Sequence, residues 1–189
     1  MNTSGGDWYP VPEPARVPVM VGALVIVGFV FALMVGHLEI KEVPLGIVDL
    51  ELAGTTARAS EILRAWDQAG VREFGKTSLS LDLPFIVAYA LGIGAACALA
   101  AEAVRSQHPQ VFLVGALLAW GQLVAGTLDL VEDAALGAML AGAVDPPWPE
   151  VAKVAAILKF SLIGGGVVYC LGVLISRARG ARPRAATVP

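Results

Sequence analysis

Uninterrupted apolar runs dominate the chain, and several approach the roughly 20 residues that a helix needs to cross about 30 Å of hydrocarbon. The first, residues 17–37, reads VPVMVGALVIVGFVFALMVGH and contains no acid, lysine or arginine. A second span is predicted over residues 83–104, with Glu102 near its edge, a third over 110–132 and a fourth over 151–176. Between the third and fourth the chain reads AVDPPWPE, whose three prolines cannot continue a helix, so a tight turn at the membrane surface is expected. Short links make successive helices antiparallel neighbours. The expected fold is therefore all-α: an integral membrane four-helix bundle running up-down-up-down.

The segments outside these runs have their own patterns. Residues 1–16 are Pro-rich and predict a disordered lead-in. They carry no basic stretch before Arg16, and the run that follows lacks a small-residue cleavage site, so it is expected to be retained and not removed as a signal peptide. Residues 38–81 form the one long loop, assigned to the external side. Within it, TTARASEILRAWDQAG opens on threonines suited to capping and ends in glycine, while Ala59, Ile62, Leu63 and Trp66 recur at i, i+3, i+4 and i+7. That spacing predicts an amphipathic helix over 56–69. Its apolar stripe is expected to pack on the bundle or to lie in the headgroup layer with Trp66 as an anchor; a lid over a membrane-embedded site is the functional alternative. The preceding PLGIVDLELAG has no clear helical period and reads as an extended or interfacial piece.

Composition fixes the solvent. Hydrophobic residues make up 57% of the 189 positions and charged ones 15%, with a mean hydropathy of +0.72. A water-soluble domain carries about 25% charge, so too little is present here to cover a water-facing surface, and the lipid bilayer is the expected partner. A net charge of −3 with no basic face argues against nucleic acid, and 2 cysteines cannot staple a disulfide scaffold. For orientation, the tail 177–189 carries Arg177, Arg179, Arg182 and Arg184 without an acid, directly against a span end. This places both termini on the cytoplasmic side of a bacterial inner membrane.

The scarce charge is unevenly spent. An ionised group at a helix centre costs about 2.5–3.5 kcal/mol on the insertion scale, yet the third span contains Asp129, Glu132 and Asp133 at one-turn spacing, and Lys159 lies inside the fourth. In antiparallel helices these groups fall near one end, at the level of Asp82 and His37. Three carboxyls within two turns repel one another, and Lys159 is their natural counter-ion. The expectation is either a closed pair of Lys159 with one acid, or an outward-facing pocket of Asp82, Asp129, Glu132, Asp133 and Lys159 that handles a ligand or proton. His37 with the acids is a weak metal candidate, and no cofactor is expected. Cys97 and Cys170, far apart in sequence, read as packing residues, and Gly92, Gly94, Gly164, Gly165, Gly166 and Gly172 as points of close helix approach. No Walker loop, GxSxG or HExxH is present.

With LELAGTTARASEILRAW, LDLPFIVAYALGI, AGTLDLVEDAAL and VAKVAAILKFSLI, the chain resembles a widespread group of small bacterial four-span membrane proteins without an assigned activity. In that group the third-span motif tends to read Asp-x-x-Glu-Asn; Asp129 and Glu132 match it, while Asp133 stands where Asn is usual. The resemblance implies the fold and supplies no reaction. Three functions remain open: binding or transport of a lipidic or small ligand or a proton; an enzyme using Asp129 or Glu132 as general acid or base on a lipid or isoprenoid; and an accessory subunit, as a homo-oligomer or with a membrane partner.

Overall fold

The computed structural model describes residues 8–34 and 36–180. Among the described residues there are six helices and no strand: α1 (Glu13–Met34), α2 (Ile47–Glu51), α3 (Thr56–Ala69), α4 (Arg72–Val104), α5 (Pro109–Leu140) and α6 (Trp148–Gly180). Four of them, α1, α4, α5 and α6, are long and apolar enough to cross a membrane. Their outer faces agree with that reading. Leu24, Phe29, Leu117, Val168 and Leu174 are each more than 60% exposed, an arrangement that hydrocarbon accepts and water does not.

Three helices outrun the apolar segments. α4 begins at Arg72 and not at residue 83, and α5 continues to Leu140 and not to 132. α6 extends beyond residues 151–176 at both ends. At 1.5 Å per residue, the 33 residues of α4 span about 50 Å, well beyond the hydrocarbon thickness. Hydropathy ends a span at the first charges, but the backbone does not need to stop there. In the first turns of α4, Lys76 pairs with Glu73 at 2.8 Å, and Ser80 Oγ donates to the Lys76 carbonyl at 3.0 Å. The extension also buries Gly75 and Ser78. α5 gains Ala135, Leu136, Met139 and Leu140, all buried.

α4 is the hub, packing against α1, α5 and α6, and α5 packs in turn against α6. Small residues set how close these axes come. A Cβ added at Gly92 would lie 2.5 Å from the Ala23 Cβ, and one at Gly166 would lie 2.7 Å from Gln122 Nε2; neither fits without movement. Gly164 and Gly172 have nothing within 4 Å of such a Cβ, so the close-approach expectation fails for those two.

At one end of the bundle α3 seals the core. Thr55 Oγ1 accepts the Arg58 amide at 3.3 Å at its start, and Gly70 closes it in the left-handed conformation at φ 70°. Ala59, Ile62, Leu63 and Trp66 are buried against Leu136, Met139 and Ala152 of α5 and α6. The Trp66 indole donates to the Leu38 carbonyl at 3.0 Å, which ties the chain leaving α1 to this helix. The segment ahead of α3 contains the short helix α2, where an extended or interfacial piece was expected.

At the other end, the expected disordered lead-in is not what residues 8–16 do. α1 already starts at Glu13, and Tyr9 and Arg16 are 2% exposed. The Trp8 indole donates to Glu102, the Trp120 indole donates to the Trp8 carbonyl at 3.2 Å, and Arg16 Nε donates to the Val11 carbonyl at 3.0 Å. Proline content argued for disorder, but Trp8 and Tyr9, just ahead of the prolines, bury enough apolar surface to fix the segment. Residues 1–7 and the tail arginines Arg182 and Arg184 lie outside the described residues. Arg177 donates to the Ala103 carbonyl at 3.0 Å.

Candidate functional site

Where α3 caps the bundle, the intramembrane charges converge. Asp129 and Glu132 share one face of α5 at i, i+3 spacing, and both meet Lys159 of α6. Lys159 Nζ donates to Asp129 Oδ1 and lies 2.8 Å from Glu132 Oε2 and 3.8 Å from Glu51 Oε2. The other Asp129 oxygen, Oδ2, accepts the Tyr89 hydroxyl of α4 at 2.8 Å. These groups are dry: the side chains of Lys159, Asp129 and Glu132 are 6%, 3% and 0% exposed.

Asp82 of α4 and Asp133 of α5 complete the set. Asp82, Asp129 and Asp133 each present an oxygen within 4.8 Å of the other two. A metal ion is a poor match for this trio. Both Asp129 oxygens are already engaged, one of them by the ammonium of Lys159, so the protein supplies its own cation there. Five carboxyls, those of Glu51, Asp82, Asp129, Glu132 and Asp133, thus face one ammonium. So many negative charges beside one ammonium are costly to hold in a water-poor site unless they are compensated.

A cavity of about 270 Å³ opens onto this cluster. Its polar wall includes Glu51, Asp82, Asp129, Asp133 and Lys159, with Glu39, Ser78 and Tyr89 beside them; Phe31, Met34, Phe85, Phe160 and Ile163 supply much of the apolar wall. Glu132 belongs to the charge cluster but not to the cavity lining. The volume lies just below the roughly 300–1,000 Å³ of small-molecule sites and is too small for a whole lipid. Leu38, Leu45, Ile47 and Val48 reach the same cavity from the α1–α2 connection and α2.

The five residues expected in the pocket are therefore together, with Glu132 behind the wall. His37 is not with them. It is exposed and stacks on Phe74 with ring centroids 4.8 Å apart, so the metal candidate built on it is withdrawn. Sequence reasoning missed Glu51 and Tyr89. Glu51 lies in the segment expected to be an extended or interfacial piece, yet it is 6% exposed. Burial pushes its carboxyl above the ordinary range, against the pull of the Lys159 ammonium. Tyr89 precedes Asp129 by 40 residues, and a lone tyrosine in an apolar run gave no signal. The two cysteines, expected to be unrelated packing residues, come together as well, with Sγ atoms 3.7 Å apart.

No protein family, curated protein or solved structure matches this chain. Function has to be read from the site itself.

Proposed function

We propose that the protein is an up-down-up-down membrane bundle that binds a small cationic amphiphile in the acidic cavity at one end of its spans. The antiparallel order is supported by contacts whose residue numbers fall on one helix as they rise on the next: Gly115 with Tyr169, Gln122 with Leu162 and Asp129 with Lys159. In this topology both termini lie on one membrane face, the cytoplasmic one by the arginine-rich tail. α2 and α3 lie in the loop on the other face and roof the site.

One observation carries the ligand class: an acidic floor with excess negative charge beneath apolar walls in a single cavity. The positive head of a ligand would lie on Asp82 and Asp133, the two cavity acids of α4 and α5 that have no ion pair among the described residues, and its apolar part against Phe31, Phe85 and Phe160. Asp129 serves as the anchor of Lys159 and Tyr89 rather than as a free general base, which weighs against the enzyme reading.

The test is isothermal titration of a long-chain alkylammonium into the protein held in phosphatidylcholine nanodiscs. Wild type is expected to bind it with one site per chain, and Asp82→Asn with Asp133→Asn together to weaken binding about tenfold or more, the scale of one lost charge-assisted contact at about 1.5–3 kcal/mol. Equal affinity in the folded double variant would refute the site. A fusion reporting the C-terminus as external would invert the topology.

A further inference from the structure

A second reactive centre lies well away from the acids. Cys97 of α4 and Cys170 of α6 are both free thiols, and their sulfur atoms are 3.7 Å apart, in van der Waals contact. Cys170 is 11 residues beyond Lys159 on α6, about 16 Å along the helix at 1.5 Å per residue. The approach of α4 to α6 depends on Gly166, whose absent Cβ would sit 3.3 Å from the Cys97 sulfur and whose carbonyl faces that thiol at 3.7 Å.

Access to the pair differs on its two sides. Cys97 is fully buried beneath Tyr9, Val11 and Ala119. Cys170 forms part of the wall of a groove of about 320 Å³ between α1, α4 and α6. The groove is lined by apolar side chains such as Met20, Leu24, Val27, Ile93 and Leu171, with Tyr89 the one other residue besides Cys170 that carries a polar side-chain atom. A charged aqueous thiol or disulfide would have to shed its hydration to enter it. A planar, uncharged molecule dissolved in the bilayer meets no such cost.

We infer that Cys97 and Cys170 are a reversible thiol–disulfide pair joining α4 to α6, oxidised by a lipid-soluble quinone that reaches Cys170 through this groove. The two S–H bonds break and one S–S bond forms; the two electrons and two protons pass to the quinone, which leaves as the quinol. Closing 3.7 Å to the roughly 2.05 Å of a disulfide needs a shift of one sulfur by rotation about a side-chain bond and a small helix adjustment. The thiol chemistry uses none of the acids or Lys159 of the acidic cavity, although Tyr89 lines both spaces.

The experiment treats the reduced full-length protein in nanodiscs with a short-chain benzoquinone, and separately with ferricyanide, then denatures it and counts free thiols with a maleimide that shifts gel mobility. With the quinone the count is expected to fall from two per chain to none, in a monomeric band, with loss of two hydrogens in the intact mass and full recovery on reduction. Ferricyanide, a multiply charged anion, is expected to leave both thiols free over the same time. In Cys97→Ala and Cys170→Ala variants no intramolecular bond can form, and the remaining thiol should stay titratable. Two thiols surviving the quinone would overturn the pair, as would separate modification of each sulfur or a crosslink between chains. Equally fast oxidation by ferricyanide would overturn the lipid route.

Discussion

Replacing Lys159 by Met removes the single ammonium on which Asp129, Glu132 and Glu51 converge and keeps nearly the same side-chain volume. The partners are 3%, 0% and 8% exposed, so water cannot take over the missing cation's role. Breaking a buried pair by removing one member costs about 3–5 kcal/mol, because the charge left behind is uncompensated. Near neutral pH, Lys159→Met should therefore lose about 3–5 kcal/mol in a denaturing-detergent unfolding titration. Adding Asp129→Asn and Glu132→Gln in the same chain removes two of the three stranded charges, the two nearest Lys159, and should recover much of that loss, which separates electrostatics from packing. A single variant within about 0.5 kcal/mol of wild type would refute the reasoning, as would a triple variant no more stable than the single.

Further outcomes follow from the geometry. Trp66→Ala should cost about 3–5 kcal/mol in the same titration, since it empties the centre of the α3 seal and frees the Leu38 carbonyl, whereas Thr55→Ala should cost about 0.5–2 kcal/mol by loss of the cap. Gly92→Leu should separate α1 from α4, with an added side chain meeting Ala23, and should raise protease sensitivity of the chain before α4. Tyr9→Phe should be neutral or stabilising by up to about 1 kcal/mol, because the hydroxyl is buried with no hydrogen-bond partner among the described residues. Glu51 makes the docking of α2 depend on pH. Its carboxyl is raised in the docked state, so docking is strongest at low pH and weakens as pH climbs from the ordinary carboxylate value through the raised one. Lys159 and the neighbouring Glu132 carboxyl oppose that trend, while Asp129 adds repulsion. Amide exchange over residues 46–52 should follow this course in wild type and be flat in Glu51→Gln.

What was legible in the sequence was what hydrophobic periodicity encodes. Four apolar runs marked four long helices, and Ala59, Ile62, Leu63 and Trp66 marked a buried stripe at the correct residues. Hydropathy was blind to helix ends, because the polar turns of α4 from Arg72 onward satisfy their backbone as well as an apolar turn does. Proline content misled over residues 8–16, where Trp8 and Tyr9 outweigh it. The acids and the lysine inside the spans were conspicuous against their apolar setting, so Asp82, Asp129, Glu132, Asp133 and Lys159 were found together. Glu51 and the Cys97–Cys170 contact were not legible, because each depends on a long-range juxtaposition that spacing along one chain does not encode.

The claim on which the functional reading stands is that the acidic cavity selects a positive headgroup. Native mass spectrometry of the nanodisc-held protein, offered equal amounts of an alkylammonium and the alcohol of the same chain length, tests it most directly. Wild type should retain the ammonium in clear excess, and Asp82→Asn with Asp133→Asn should carry the two equally. Equal retention by the wild-type protein would contradict the claim.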